Sequence, residues 1–368
     1  MSPAGGSPRV LLACDFHLRY STRLAAGLDR AGAASALLTR DHDLEFGGEP
    51  GAALAFVRET VGPGVPVSTI PGRLRSLAGW RQALALRRAL RRWDPAVVHV
   101  QESIGNDPRL LLAAGIRRGR YAVTIHDPVR HPGDRNSARI AWLNRTLARQ
   151  AGLIFVHGES LRDELVEIAA PRAPIVVVPH GIEVGEATPL PAVPSLLFFG
   201  RITEYKGLET LLEAMPIIWE ELPEARLTIA GEGEIPRRPA LADPRVVVRD
   251  GYIPEGEVPD LIKASTCVVL PYRQASQSGV GSLVKPYARP LVVTEVGGLP
   301  ELVADGSGLA VPAGDPAALA AALRSVLTDH GLAERLGGVG AATAAREGSW
   351  DAVAVRTLGA YRDLLGVG

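Results

Sequence analysis

Short apolar runs bounded by turn residues recur along this chain, and between them lie stretches with apolar residues at helical spacing. The first six runs are RVLLAC (9–14), ASALLT (34–39), AVVHV (96–100), YAVTIH (121–126), GLIFVH (152–157) and PIVVVP (174–179). Each is apolar on both faces, as parallel strands covered by helices on either side are. Helical patterns fall over 21–31, 76–93, 135–150 and 159–169, with Asp134, Glu159 and Ser160 near the starts of the last two as candidate caps. The stretch EVGEATPLPAVPS (183–195) carries three prolines and little periodicity, so it reads as a linker. The alternation then restarts with strands SLLFFG (195–200), ARLTIAG (225–231), RVVVRDG (245–251), TCVVLP (266–271), PLVVT (290–294) and GLAVP (308–312). Helices are expected at 206–221, 255–264, 279–288, 298–304 and 316–328, and two more, 331–346 and 349–365, close the chain.

Strands alternating with helices imply βαβ crossovers and a parallel sheet, and here the architecture occurs twice. The fold class is therefore α/β, with two parallel sheets that leave a cleft between them as the natural ligand site. A length of 368 residues agrees with two domains, set at 1–185 and 186–346. Composition adds mostly exclusions. Lys plus Arg and Asp plus Glu are 40 each, so no global field draws the protein to nucleic acid. The two cysteines, Cys14 and Cys267, fall in apolar runs, with neither a disulfide framework nor metal-ligand spacing. No apolar run approaches the roughly 20 residues of a membrane span, and MSPAGGSPR has no signal-peptide character. A cytoplasmic location is the expectation.

One segment departs from this even balance. RLRSLAGWRQALALRRALRR (73–92) carries seven arginines on a helical pattern. It can be read as a membrane-surface or acidic-partner helix. The favoured reading is a solvated helix back, with Trp80, Leu84, Leu86 and Leu90 packed inward. Peripheral membrane contact is thus allowed but not favoured.

The stretch FFGRITEYKGLETLLEAMP (198–216) reads as strand, turn and amphipathic helix, with Arg201 and Lys206 on the turn. Such a loop opens at the carboxyl edge of a sheet, where open α/β folds bind ligands. Two cations there point either to an anionic ligand, phosphate first, or to a solvated surface pair.

Several stretches in order resemble the carboxyl domain of the family 4 retaining glycosyltransferases: FFGRITEYKGLETLLEA, LTIAGEGE, GYIPEGEVPDLIKASTCVVLP, ASQSGV and PLVVTEVGGLPELV. LRRALRRWDPAVVHVQ, AVTIHDP, IFVHGESLRDEL and VVPHGI look like that family's acceptor-domain signposts. The resemblance implies the GT-B fold, two Rossmann-like domains facing across a cleft. It also implies that a C-terminal helix, within 347–368, crosses back to pack on the N-terminal domain. The implied activity is transfer of a sugar from a nucleoside-diphosphate donor to an acceptor hydroxyl, with retention and without metal; the enzyme would be of hexosyltransferase type. The nucleotide sugar is a co-substrate, a UDP-sugar being favoured, and no cofactor is implied.

By the same resemblance, Arg201 and Lys206 contact the donor diphosphate and His126 faces the donor sugar and its phosphate, so these three carry catalysis. The loop GYIP resembles one whose backbone holds the nucleotide base, through Tyr252 and Ile253; Tyr252 either stacks on the base or packs on its neighbours. Many members place two glutamates eight positions apart where this chain has Ala275 and Leu283. A subset reads Ser-Gln-Ser-Gly-Val, as here at 276–280, which assigns donor binding to Gln277, Ser278, Gly279 and Val280. Pro286 is a further departure, expected to kink the 279–288 helix. In the first domain the loop DFHLRYST offers Asp15, His17, Arg19 and Tyr20 at the acceptor side, suited to a hydroxyl-rich acceptor or to a solvated turn. His157 and His180 read as structural. Two rivals remain: a sugar-nucleotide epimerase on the same fold, for which no carboxylate pair is evident, and a degenerate, non-catalytic relative, motivated by Ala275 and Leu283.

Overall fold

The computed structural model describes residues 8–366 except 47, 49, 72–75, 129–136, 184 and 276–277, and the backbone alone at 44, 103, 106 and 137–140. The described chain forms two compact units, residues 1–181 with 350–368, and residues 182–349. These divisions fall a few residues from the expected 185/186 and 346/347, because the chain changes unit at Gly181 and again before Trp350.

The first unit holds a seven-stranded sheet in the order β3-β2-β1-β4-β5-β6-β7, with every adjacent pair parallel. Its strands are β1 (Arg9–Cys14), β2 (Ala34–Arg40), β3 (Val67–Ile70), β4 (Val97–Gln101), β5 (Tyr121–Thr124), β6 (Leu153–Val156) and β7 (Ile175–Val177). Helices α1 (Leu18–Arg30), α2 (Ala52–Val61), α3 (Leu77–Trp93), α4 (Pro108–Ala114), α5 (Ser137–Gln150) and α6 (Glu159–Ala169) connect them. The period-two alternation of β1 explains the layers. Val10, Leu12 and Cys14 pack with α1, α2 and the last helix, α13 (Trp350–Leu365), while Leu11 and Ala13 join the core under α3 to α6. Helix α13 lies close on α1: a Cβ at Gly27 would come within 2.7 Å of the Trp350 carbonyl oxygen. Its Tyr361 hydroxyl meets His99 Nδ1 on β4.

The second unit holds six parallel strands in the order β10-β9-β8-β11-β12-β13. They are β8 (Ser195–Phe199), β9 (Arg226–Gly231), β10 (Val246–Asp250), β11 (Cys267–Leu270), β12 (Leu291–Thr294) and β13 (Gly308–Val311). Helices α7 (Leu208–Glu221), α11 (Pro316–Thr328) and α12 (His330–Thr343) cover one face, and α8 (Val258–Lys263), α9 (Gly279–Val284) and α10 (Leu299–Val303) the other. Arg289 is buried, with no carboxylate among its partners in the described residues. It donates instead to the carbonyls of Thr188, Pro189, Lys263 and Tyr287, tying the proline-rich linker to this unit.

Several expectations change. The sequence pattern missed α2, β3 and α4, all short. The 279–288 helix stops at Val284 and becomes a 3-10 turn over Lys285–Tyr287, because Pro286 has no N–H to continue the ladder. Gly158, not Glu159 or Ser160, occupies the N-cap of α6, and Asp134 lies outside the described residues. Most consequentially, Trp80 and Leu84 do not pack inward. They are 36% and 42% exposed, while Gly79 and Ala83 are the buried residues of α3, with Leu86 and Leu90 half-buried on the core.

Candidate functional sites

In an open parallel sheet the loops diverge where the strand order reverses, and the crevice beyond the strands' carboxyl ends receives ligand. In the first unit that point lies between β1 and β4, and in the second between β8 and β11. Both gather the residues that matter here.

In the first unit, His17 follows β1 in a left-handed conformation (φ 65°), uncommon for a residue with a side chain. This places its ring on His126, past the end of β5, with centroids 3.8 Å apart and planes 5° from parallel. His157 follows β6 and His180 follows β7, so three strand ends deliver three imidazoles to one place; His126 and His157 are 4.8 Å apart by centroid, His157 and His180 4.5 Å. Tyr20 lies buried beneath them, edge-on to His126, His157 and His180. Glu102, at the end of β4, accepts from the His126 and Asp127 backbone N–H groups and from the Asn144 amide, and its other oxygen is 3.7 Å from His17 Nε2.

Proton accounting fixes the imidazole tautomers. His157 Nδ1 donates to the Val178 carbonyl, so its Nε2 accepts, and the partner 3.1 Å away is His126 Nδ1. His126 Nδ1 therefore carries the proton and its Nε2 must accept. The Gln101 side-chain amide lies 2.7 Å from that nitrogen. Turning this amide so that its NH₂ faces His126 closes the chain and gives a partner to a nitrogen that otherwise has none. The opposite orientation requires an imidazolium. Burial disfavours one and lowers the His126 and His157 pKa values well below the usual range, and the neighbouring histidines push the same way. His180 falls to about 4, again mainly through burial. One nitrogen from each of these three lies within 4.8 Å of the others, a grouping that could hold a metal ion only after drawing together, and the His126–His157 hydrogen bond already uses one facing pair.

The other residues of this loop have partners within the unit. Arg19 lies over Phe46, 4.0 Å from its centroid, and near Phe56. Asp15 is fully buried, 2.7 Å from Arg40 Nε, so its charge is used inside the unit. His17 alone of that loop reaches His126 with its ring exposed in part. The N–H groups that open α1 are occupied by the Glu45 carboxylate.

In the second unit, β8 ends at Phe199 and a 3-10 turn, Glu204–Lys206, leads into α7. Gly207 closes the turn at φ 67°, and a Cβ there would fall 1.9 Å from the Pro271 carbonyl oxygen. Only glycine allows this approach, and through it the loops after β8 and β11 meet. Lys206 Nζ consequently rests 3.8 Å from the centre of the Tyr272 ring, whose hydroxyl is 3.0 Å from Ser278 Oγ. Burial, and then the like charge of Arg201, lower the Lys206 pKa to about 8. Arg201 is exposed, and neither cation has a carboxylate partner among the described residues. A Cβ at Gly200 would lie 3.3 Å from Val280, so the start of α9 joins the same cluster, with Ser278 at its N-cap. Arg201, Lys206, Ser278, Gly279 and Val280 thus come together. Tyr252 stands apart at 57% exposed, and Ile253 packs on the core beside α8. Ala275 is half-buried and Leu283 is 42% exposed. Gln277 lies outside the described residues.

Sequence reasoning missed Gln101, Glu102 and Tyr272, and took His157 and His180 as structural. The available signal was positional: each stands at or just past a strand's carboxyl end, as His126 does.

Both stretches of the chain are similar to known proteins. Residues 19–186 match the family described as Glycosyltransferase Family 4, and residues 193–329 that described as Glycosyl transferases group 1. Glycogen synthase of Mycobacterium tuberculosis is 28% identical over 291 residues, covering 74% of this chain and 69% of that one. Among solved structures, sucrose-phosphate synthase of Thermosynechococcus elongatus superposes with a TM-score of 0.72 at 18% identity, over 98% of this chain and 100% of the other. Anabaena HepE in complex with UDP-glucose gives 0.70 at 15% identity, over 95% and 99%. The fold is GT-B, two Rossmann-like α/β domains, and the two matched stretches are similar to glycosyltransferase families.

Proposed function

We propose that this protein transfers a hexose from a nucleoside-diphosphate sugar to an acceptor hydroxyl with retention at the anomeric carbon. The observation that carries the reading is the cation pair on the β8–α7 turn, Arg201 and Lys206, with no carboxylate partner described for either. As the bond between sugar and phosphate breaks, negative charge grows on the leaving diphosphate. Preorganised cations at that position lower the barrier, each worth about 2–4 kcal/mol by analogy with other fixed donors. The backbone at the start of α9 adds N–H groups beside them. In a front-face reaction the departing diphosphate takes the acceptor proton, so no enzymic nucleophile is required. His126, neutral and with both ring nitrogens already engaged by His157 and Gln101, supplies no fixed charge and would hydrogen-bond the sugar only by exchanging one of those partners.

A UDP-sugar is the favoured donor, since HepE, with the same fold, is known with UDP-glucose. No divalent ion is part of this reading, so turnover should persist in EDTA. The test is release of nucleoside diphosphate from a panel of UDP-, GDP-, ADP- and TDP-sugars. Arg201→Ala and Lys206→Ala should each lower kcat/KM about 10²–10³-fold with melting temperature nearly unchanged. Near-normal turnover in either variant would remove the diphosphate-clamp assignment. Absence of donor turnover by the unmodified protein, with binding retained, would favour a non-catalytic relative.

A further inference from the structure

Helix α3 presents a face whose side chains are exposed. Leu77, Arg81, Leu84, Arg88 and Arg91 recur at i, i+4, i+7, i+11 and i+14, so they share one stripe, and all five are exposed. Leu77 is 78% exposed, and Trp80 beside it 36%. The stripe is graded along the axis: its first two turns carry Leu77, Trp80 and Leu84 together with Arg81, and its last two carry Arg88, Arg91 and Arg92. Residues 77–93 contain five arginines and no acidic residue in a chain of zero net charge. Only Arg87 is used internally, donating to the Leu112 carbonyl; the other four have no acidic partner among the described residues. The alanine-rich flank of the helix lines an open groove of about 630 Å³.

The neighbouring elements continue the pattern. Helix α5 packs on the same core as α3 and exposes Trp142 (60%) and Arg145. The loop after α4 exposes Arg117, Arg118 and Arg120. Acidic side chains near this face include Asp94 at the C-cap of α3, which faces Arg9, and, on α6, Glu159 and Asp163, which pair with Arg162.

We propose that α3 is a membrane-surface helix which docks this protein on anionic phospholipid. Arginines alone would suit nucleic acid or an acidic protein. Exposed leucines and a tryptophan at one end of the same stripe, with one-signed charge at the other, match an interfacial helix. Its apolar end enters the headgroup boundary while its cations hold the lipid phosphates. The inference does not depend on the reaction assigned above.

The test is co-sedimentation of the intact protein with phosphatidylcholine vesicles, with and without about one quarter phosphatidylglycerol, a composition giving the negative surface potential of a cytoplasmic leaflet. The protein should pellet with the anionic vesicles only, and less so as salt rises. Combined Arg88→Gln, Arg91→Gln and Arg92→Gln should weaken partitioning about 100-fold, near five-fold per charge. Leu77→Ser with Leu84→Ser should weaken it while preserving the salt dependence. All five side chains are exposed, so circular dichroism and melting temperature should match the unmodified protein. An unmodified protein that stays in the supernatant, or variants that pellet as it does, would overturn the proposal. Binding to soluble poly-glutamate but to neither vesicle would also overturn it, in favour of an acidic protein partner.

Discussion

Mild acid should destabilise the first unit, through histidines that the fold holds neutral. His99 is 1% exposed, between Tyr361 and Thr124, and burial lowers its pKa to about 3; His157 is 8% exposed and is likewise held well below the ordinary value. In the unfolded chain each titrates near 6.5. The unfolded state therefore binds more protons below pH 6.5, and stability falls as pH drops from there toward the folded values. One unit below 6.5, each fully neutral histidine costs about 1.4 kcal/mol, so His99 and His157 together remove about 3 kcal/mol at roughly pH 5.5. His126 and His180 act in the same direction, with pKa values also lowered by burial. His42 opposes them. Its hydrogen bond to Asp15 raises its pKa, so the contribution it makes is greatest at low pH and is lost as pH rises through the folded value.

The net loss is a large part of the roughly 5–15 kcal/mol typical of a folded domain. Four of the five tryptophans, Trp80, Trp93, Trp142 and Trp350, belong to the first unit, so urea unfolding followed by tryptophan fluorescence reports mainly on it. Between roughly pH 7.5 and 5.5 the unfolding free energy should fall by about 3 kcal/mol or more. In His99→Gln, which keeps a polar partner for Tyr361 without a titrating ring, that fall should shrink by about 1.4 kcal/mol. Equal stability at the two pH values, or an unchanged slope in His99→Gln, would refute the assignment of neutral buried imidazoles.

Lys206, with its pKa near 8, should lose its proton as pH rises, so kcat/KM for the donor should decline above about pH 8 while kcat at saturating donor holds to higher pH; superimposable profiles for the two parameters would contradict this. Gly207→Ala forces a Cβ against the Pro271 carbonyl at a left-handed φ, and should cost about 3 kcal/mol in stability, read as a lower urea midpoint. Arg289→Met leaves the Thr188, Pro189 and Lys263 carbonyls without their donor and should cost at least about 3 kcal/mol by the same assay, at about 1 kcal/mol or more for each orphaned acceptor.

The sequence made the two sheets legible because their strands are continuous apolar runs and their helices keep an apolar stripe. It was less informative where packing decides. Nothing in RLRSLAGWRQALALRRALRR says which apolar face turns inward, since Leu86 and Leu90 compete with Trp80 and Leu84. The small residues Gly79 and Ala83 settle it, for a Cβ at Gly79 would lie 2.3 Å from an Arg109 guanidinium nitrogen. That close approach fixes the rotation of α3 and leaves the larger side chains outside. The same holds for Pro286, whose missing N–H was visible but whose effect, ending α9 rather than bending it, depended on the 3-10 turn that follows. The candidate sites were legible at Arg201, Lys206 and His126 because the family pattern marks them. Tyr272 and Glu102 were not, because their roles exist only once the loops after β8 and β11, or after β4 and β5, have met.

That difference bears on how the chemistry divides. Read from the sequence, His126 joins Arg201 and Lys206 as a stabiliser of charge. In the folded unit its ring is stacked on His17, hydrogen-bonded to His157 and Gln101, and neutral. A neutral imidazole with its proton on Nδ1 orients partners but contributes no Coulombic attraction to a diphosphate, so the work of holding charge falls to the β8–α7 turn. There the Tyr272 ring supplies what a carboxylate would otherwise supply. Its π face stabilises the Lys206 ammonium without neutralising it, so that in the proposed reaction its charge would remain available to a phosphate. Replacing Tyr272 by leucine should therefore lower the Lys206 pKa further and shift the alkaline limb of kcat/KM to lower pH. Replacing Lys206 by alanine should abolish that limb. An alkaline limb that survives Lys206→Ala would place the titrating group elsewhere and break this division of roles.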